Sequence, residues 1–195
     1  VISGNKWFKL KYHLDNFNAG NYKGIITFGG AWSNHIVATA CACYLEKIKC
    51  TGIIRGEKPP QLSFTLLEAD HYEMDLKFIS RERYSQKNSN EFLASIKKEF
   101  PDHYLIPEGG AGKKGEKGAS EILQHTNGKD YTHIACAVGT GTMFNGLKQA
   151  AASPDQDILG IVVLRGWKED NKRDNARLFL NYHFGGYAKY DQTLI

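Results

Sequence analysis

A glycine- and threonine-rich turn is the first candidate for chemistry in this sequence. The apolar run His133–Val138 predicts a buried strand, and Gly139-Thr140-Gly141-Thr142 follows it directly. Residues 143–152 then have the spacing of a helix. Glycine lets a backbone approach a ligand closely, and the first amides of a helix carry partial positive charge. The turn is suited to a phosphate, although an ordinary capped strand-to-helix turn has the same pattern.

A lysine and a Ser-Asn-His triplet offer a second kind of chemistry. Lys6 follows a turn-like stretch and comes at the start of a helix predicted over residues 7–17. The positive end of a helix discourages protonation of a nearby lysine, which favours its action as an amine nucleophile. Ser33-Asn34-His35 follows Gly29-Gly30 and offers a hydroxyl, an amide and an imidazole at another predicted helix start. Ser33 is a plausible N-cap there.

The secondary structure that must position these residues alternates between strands and helices. Strands are predicted over 24–28, 50–55, 76–80, 104–106, 133–138 and 158–164, and helices over 7–17, 34–48, 61–72, 88–100, 115–126 and 143–152. After Gly166 the pattern fades. Such alternation predicts parallel sheets that helices cover on both faces. Glycine turns at 29–30, 109–112 and 139–141 follow strands, so they could line one crevice at the carboxyl ends of the strands.

Composition places the chain among ordinary globular proteins. It has 195 residues, enough for one large or two small domains, with 42% hydrophobic and 24% charged residues. The net charge of +4 comes from 25 basic and 21 acidic residues of interspersed sign. Lys113, Lys114 and Lys117 form the only local basic cluster, which we predict to be a solvated loop. We therefore expect no nucleic-acid partner.

The sequence also indicates a cellular setting. No apolar stretch reaches the length of a membrane span and no signal peptide is visible, so we expect a cytoplasmic protein without a membrane partner. Because the chain begins at Val1 and not at Met, a preceding segment is expected. The cysteines, at 41, 43, 50 and 136, have no CxxC pair and no zinc-ligand spacing. Buried free thiols without a metal are the interpretation that this pattern favours.

From residue types alone, a nucleotide-binding enzyme, a phosphate-binding module and a cofactor enzyme remain open. The glycine turn matches the dinucleotide fingerprint poorly, because Phe144 stands where its third glycine would be. No acidic residue follows at the position that would bind a ribose, and no Walker-type lysine follows the turn. A nicotinamide-dependent dehydrogenase is therefore the weakest of these alternatives.

Four motifs together resemble the D-cysteine desulfhydrase and 1-aminocyclopropane-1-carboxylate deaminase family, which are pyridoxal-phosphate enzymes of the tryptophan-synthase-β type. The motifs are S-G-N-K-x-x-K-L-x-Y at 3–12, G-G-A-W-S-N-H at 29–35, P-E-G-G at 107–110 and G-T-G-T at 139–142. Their order and spacing agree over most of the chain. The first two motifs carry most of the specificity, since the glycine turn alone is common.

The resemblance implies a role for each site residue. Lys6 corresponds to the lysine that holds pyridoxal 5'-phosphate covalently through its amine, and Asn34 to the asparagine that hydrogen-bonds the ring hydroxyl of the cofactor. Ser33 corresponds to the serine beside the substrate, where it contacts the carboxylate or moves a proton. Gly139, Thr140, Gly141 and Thr142 correspond to the phosphate cup. His35 matches members with desulfhydrase character, whereas cyclopropane deaminases tend to have Gln; an ordinary core or surface histidine fits equally well.

The same resemblance implies the architecture and the reaction. We expect a type II pyridoxal-phosphate fold of two parallel-sheet α/β domains, with 9–110 as the small domain and 1–8 with 111–195 as part of the large one. Compared with the family, the chain is expected to be incomplete at both ends. D-cysteine, cleaved to pyruvate, sulfide and ammonia, is the leading substrate, and 1-aminocyclopropane-1-carboxylate is second. A homodimer is expected. A non-catalytic phosphate- or nucleotide-binding module is the rival of another class.

Overall fold

The computed structural model describes residues 4–127, 130–151, 155–165, 167 and 175–184. The chain divides after Gly110 into two compact units. Each unit contains its own parallel sheet and its own core, so the two are described separately. The assignment of residues 1–8 and 111–195 to one large domain stays a prediction.

The first unit is a four-stranded parallel sheet in the order β3-β2-β1-β4. Its elements are α1 (Asn5–Asn18), β1 (Gly24–Gly29), α2 (Asn34–Leu45), β2 (Cys50–Arg55), α3 (Phe64–His71), β3 (Asp75–Ile79), α4 (Arg81–Ser85), α5 (Asn90–Glu99), β4 (His103–Ile106) and a 3₁₀ turn (Glu108–Gly110). Every residue of the central strand β1 is buried. That burial is what a parallel sheet covered on both faces requires.

Serine caps determine where four helices of this unit begin. The hydroxyls of Ser33, Ser63, Ser80 and Ser89 each accept a hydrogen bond from the backbone N–H three residues further on. A cap of this kind satisfies one of the helix's unpaired amides and contributes about 1 kcal/mol. The prediction that Ser33 is an N-cap is confirmed.

Side chains on the two faces of the sheet form separate apolar clusters. On one face, helices α1, α2 and α3 pack Leu10, Ile36 and Leu66 against Ile25 of β1. On the other, α4 and α5 pack against Ile26 and its neighbours in β1 and β2. Successive residues of a strand point to opposite faces, so Ile25 and Ile26 serve different clusters. The sheet is therefore the rigid base on which α1 and α2 rest.

The second unit is a three-stranded parallel sheet in the order β5-β6-β7. Its elements are α6 (Lys113–Ser120), a 3₁₀ turn (Glu121–His125), β5 (His133–Val138), α7 (Thr142–Ala150), β6 (Asp157–Val162) and β7 (Ala176–Phe179). Val138, Phe144, Leu147 and Ile158 are at the centre of its core. Helices α6 and α7 pack closely at Gly146, where a Cβ would lie 2.5 Å from the Cβ of Ala119 and 2.6 Å from the carbonyl oxygen of Glu116.

The parallel α/β class predicted from the sequence is confirmed, and β2 and β5 have the predicted bounds. Three details of the secondary-structure prediction were wrong. Strand β5 is half exposed instead of buried, because it is at the edge of its sheet and one face packs against α7. The lysine cluster is exposed but lies on α6, not in a loop. Helix α4 and strand β7 were not predicted, because both are too short for a clear periodicity.

The described helices include none that is both long enough and apolar enough to span a membrane. Among the described residues, the four cysteines are free thiols; three of them are buried and Cys136 is partly buried. The expected absence of a metal-ligating cluster stays a prediction for the chain as a whole.

Replacing Gly146 by alanine should destabilise the second unit. The added methyl would overlap Ala119 and the backbone of α6, so the helices must separate, at a cost of about 1–3 kcal/mol in the free energy of unfolding. Urea unfolding followed by circular dichroism measures this. Lys114→Ala, at an exposed position of α6, is the control and should change the free energy by less than about 0.5 kcal/mol. Equal midpoints for the two variants would contradict the close packing.

Candidate active site

The amine of Lys6 lies at the start of α1 and is partly withdrawn from water. Gly4 precedes the helix with φ 60°, and no side chain caps this end. The Nζ of Lys6 donates a hydrogen bond to Oδ1 of Asn5 at 3.0 Å. Burial disfavours the charged form and lowers the pKa of Lys6 from the usual 10.5. A larger share of neutral amine makes Lys6 a better nucleophile near neutral pH.

A pocket of about 400 Å³ in the first unit contains this lysine. Its lining consists of Gly4, Asn5, Lys6, Asn34, Val37, Ala38, Cys41, Thr65, Glu68 and Tyr72. The structure thus brings Lys6 and Asn34, 28 positions apart in the sequence, to one cavity. Asn34, Val37, Ala38 and Cys41 have the i, i+3, i+4, i+7 spacing of a single face of α2.

Ser33 is next to this pocket but is not among its lining residues. Its hydroxyl oxygen accepts a hydrogen bond from the backbone N–H of Ile36 at 3.4 Å. The hydroxyl hydrogen of Ser33 remains available, because accepting that bond uses only a lone pair. Two residues before Ser33, the carbonyl of Ala31 accepts a hydrogen bond from the hydroxyl of Ser63. This bond joins the loop before Ser33 to the start of α3. The loop that carries Ser33 is therefore held from two sides.

The wall of the pocket opposite α2 comes from α3 and was not predicted from the sequence. Thr65, Glu68 and Tyr72 recur at i, i+3 and i+7 along this helix and the residue that ends it. A hydrogen bond with Cys41 raises the pKa of the Tyr72 hydroxyl, and the charge of Glu68 adds to this effect. The helix itself was predicted, but nothing in its sequence distinguishes pocket positions from solvent positions.

His35 is buried and faces the sheet, not the pocket. It is 3% exposed and is not among the pocket residues. The hydroxyl of Thr27 donates to the carbonyl of Ile106 at 2.9 Å and lies 2.8 Å from Nε2 of His35. Since the single hydrogen of that hydroxyl is already used, His35 must donate from Nε2 and keep Nδ1 unprotonated.

The surroundings of His35 disfavour protonation of the neutral imidazole. Burial, followed by the charges of Lys6, Lys9 and His13, lowers the pKa of His35 to about 3. In the described part of the chain, Nδ1 of His35 has no hydrogen-bond partner. At neutral pH, His35 is therefore a neutral core residue, which is one of the two interpretations that the sequence left open.

The Gly-Thr-Gly-Thr turn joins β5 to α7 in the second unit. Gly141 has φ 84°, a left-handed conformation that favours glycine, and α7 begins at Thr142 without a side-chain cap. The first amides of α7 consequently have no acceptor within the helix. The hydroxyls of Thr140 and Thr142 are 3.0 Å apart. These donors have the chemistry of an anion site.

Trp167 packs against this turn, which the sequence did not indicate. Its indole Nε1 donates to the carbonyl of Gly139 at 2.7 Å, and a Cβ on Gly141 would lie 2.7 Å from the indole ring. Gly141 is therefore constrained twice, by its backbone conformation and by the indole. The long separation of Trp167 from the turn in sequence explains why periodicity could not reveal the contact.

Taken unit by unit, these groups have the chemistry that pyridoxal phosphate needs. Burial lowers the pKa of the Lys6 amine, which favours its attack on a carbonyl carbon. Asn34 places an amide in the same pocket, and the turn 139–142 offers amides and hydroxyls to a phosphate. The roles of Lys6, Ser33, Asn34 and the turn stay predictions.

Placing a carboxylate at residue 5 should raise the pKa of Lys6. Asn5→Asp has nearly the same shape but puts a negative charge 3.0 Å from the amine, so the pKa should rise by on the order of one unit. Competitive acetylation across pH, read by peptide mass spectrometry, measures the inflection for Lys6. Asn18→Asp, the same change at the other end of α1, is the control. An equal inflection in both variants would contradict the contact.

Comparison with known proteins gives relatives of one kind. No family model matches the chain. A Pyrococcus horikoshii protein provisionally named 1-aminocyclopropane-1-carboxylate deaminase is 28% identical over 210 residues, covering 96% of this chain and 64% of the relative. An Arabidopsis thaliana protein named bifunctional D-cysteine desulfhydrase/1-aminocyclopropane-1-carboxylate deaminase, mitochondrial, is 30% identical over 163 residues, covering 75% of this chain and 41% of the relative. The chain thus spans less than two thirds of either relative.

Solved structures establish the fold. The crystal structure of a homologue of 1-aminocyclopropane-1-carboxylate deaminase matches with a TM-score of 0.78 and 23% identity, over 97% of this chain and 65% of that one. Threonine deaminase, serine racemase and a pyridoxal 5'-phosphate-dependent aspartate racemase share the same architecture. The predicted family resemblance and fold are confirmed. The chain is a homologue of proteins named 1-aminocyclopropane-1-carboxylate deaminase and D-cysteine desulfhydrase, and its fold is that of the type II pyridoxal-phosphate enzymes.

Proposed function

We propose that this chain is the core of a pyridoxal-phosphate-dependent deaminase or lyase that acts on a small amino acid. The observation that carries the proposal is the environment of the Lys6 amine. Burial lowers its pKa, and Lys6 shares a pocket with Asn34. The names of the homologues support the same reaction class. When bound, pyridoxal phosphate supplies an electron sink for charge that develops on the substrate.

In this proposal, Lys6, Asn34 and Ser33 each have a separate function. Lys6 would hold the cofactor covalently through Nζ, which would replace the carbonyl oxygen that leaves as water, and as a free amine it would accept or return a proton at the reacting carbon of the substrate. The amide of Asn34 orients the ring by a hydrogen bond. The hydroxyl of Ser33, which caps α2 as an acceptor, keeps its hydrogen to donate to the substrate carboxylate or to pass on as a proton.

In the second unit, the turn 139–142 has the task of binding phosphate. Gly141 admits no side chain, because a Cβ there would lie 2.7 Å from the indole of Trp167. The amides at the start of α7 and the hydroxyls of Thr140 and Thr142 supply the donors. This assignment follows from the donor chemistry of the turn alone.

D-cysteine is the proposed substrate, with release of pyruvate, sulfide and ammonia. The bifunctional name of the Arabidopsis relative supports both this substrate and 1-aminocyclopropane-1-carboxylate, which is the second candidate. His35 does not discriminate between them by direct contact, because it is outside the pocket lining. The expected homodimer and cytoplasmic location remain predictions.

Replacing Lys6 should abolish covalent attachment of the cofactor. Purified protein incubated with pyridoxal phosphate should become yellow, and borohydride should fix an adduct that peptide mass spectrometry locates at Lys6. Lys6→Ala should lose the adduct and at least about 10³-fold of turnover, since no other group replaces the nucleophile. Lys97→Ala, at an exposed position of α5, is the control.

Three results separate the competing functions. Release of sulfide and pyruvate from D-cysteine supports the leading substrate, whereas ammonia and a keto acid from 1-aminocyclopropane-1-carboxylate alone supports the second. An adduct at Lys6 without turnover of either amino acid would contradict the enzyme and favour a non-catalytic binding module. An adduct at a different lysine would contradict the site.

A further inference from the structure

We propose that His35 is a positioning residue, which fastens the first turn of α2 to the sheet and thereby sets the direction of Asn34 into the pocket. This inference rests on the proposed function only for its effect on the cofactor. The fastening itself is a property of the fold, and it can be tested without any ligand.

A continuous series of buried hydrogen bonds connects α2 to two strands. Nε2 of His35 donates to the hydroxyl of Thr27 in β1, and that hydroxyl donates to the carbonyl of Ile106 in β4. Both Thr27 and His35 are buried, and Thr27 is 0% exposed. In a buried setting each bond is costly to leave unmade, because the freed polar group cannot turn to water. The imidazole is therefore held in one orientation.

The backbone around His35 is held as well. The hydroxyl of Thr39, one turn further along α2, donates to the carbonyl of His35 at 2.8 Å. Below the helix, β1 ends at Gly29, where a Cβ would lie 2.4 Å from the side chain of Ile36 and 2.8 Å from the hydroxyl of Ser33. The first turn of α2 thus rests directly on the end of the strand. With this close fit, the imidazole determines how the turn is rotated on the sheet.

Asn34 is the immediate neighbour of His35 in this turn and lies on the pocket side of the helix. A rotation of the turn that released His35 from Thr27 would also move the Asn34 amide. A hydrogen bond weakens steeply as its angle departs from linearity. The fastening thus strengthens cofactor binding through Asn34, although His35 itself is not among the residues that line the pocket.

Only the neutral imidazole with its proton on Nε2 can make this connection. A second proton would sit on Nδ1, which has no acceptor in the described part of the chain. The groups that face His35 are Lys6, Lys9 and His13 of α1, the hydroxyl of Thr27 and the carbonyl of Ile106. The three basic residues repel a positive imidazole, so the geometry of the hydrogen bonds and the surrounding charge agree.

Direct observation of the imidazole tests the fastening without a cofactor. Nitrogen NMR of the histidine rings should show His35 with a protonated Nε2 and an unprotonated Nδ1. Its shifts should not change between pH 8 and pH 5, where an ordinary histidine titrates. A protonated Nδ1, or a titration of His35 near pH 6.5, would overturn the proposal even if the proposed function holds.

Matched substitutions test the effect on Asn34. The side chain of glutamine can place an N–H near the position of Nε2, whereas that of asparagine is too short to reach Thr27. His35→Gln should bind pyridoxal phosphate within about threefold of the wild type, and His35→Asn about tenfold more weakly, which corresponds to the loss of one well-made hydrogen bond. The pH inflection of Lys6 acetylation should stay the same in both, because the neutral imidazole carries no charge.

A second pair of variants keeps the test decisive if His35→Asn does not fold. Thr27→Ser retains the hydroxyl, and Thr27→Val removes it at similar volume. Weaker cofactor binding in Thr27→Val, with near-normal binding in Thr27→Ser, supports the proposal. Equal cofactor affinity in all four variants would overturn it. If none of the proteins, including the wild type, binds the cofactor, the proposed function fails, while the NMR result still decides the fastening.

Discussion

Removal of the Lys6 amine from water is the constraint on which the candidate site depends. An exposed lysine at a helix start would be protonated at neutral pH and would be a poor nucleophile. Here the start of α1 lines a pocket together with residues of α2 and α3, and burial lowers the pKa of the amine by desolvation. The amide of Asn5 partners the amine without adding a charge that would oppose this effect. The chemistry of the site is thus a result of how three helices pack.

The sheet supplies the precision that such packing needs. Strand β1 is buried along its whole length and is paired on both sides, so its end is a fixed reference point. Helix α2 is joined to that end by the hydroxyl of Thr27 and by close contact at Gly29. In the first turn of α2, Asn34 therefore lies on the pocket side, whereas His35 lies on the sheet side. A purely apolar side chain at position 35 would pack on the sheet without this hydrogen bond to Thr27.

Local sequence signals predicted Lys6 and Asn34 as site residues, and the structure places both in one pocket, while their roles stay predictions. Lys6, Ser33 and Asn34 stand at helix starts next to glycines, and the alternation of strands and helices indicated a parallel α/β fold that the structure confirms. The pocket residues on α3 were not predicted, because Glu68 and Tyr72 look like ordinary surface positions in the sequence. The contacts of Trp167 with Gly139 and of Thr27 with Ile106 were not predicted either, because they join residues far apart in the chain.

The glycine pair after β1 shows how unequal two adjacent, identical residues can be. Gly29 has the side chain of Ile36 2.4 Å from where a Cβ would stand, whereas at Gly30 the nearest atom, in Arg55, is 3.8 Å away. Neither residue has the left-handed backbone that would itself demand glycine. The first position therefore excludes a larger side chain, whereas the second has space for one. A larger residue at Gly30 would therefore change the surface of this loop without displacing the first turn of α2, which lies against Gly29.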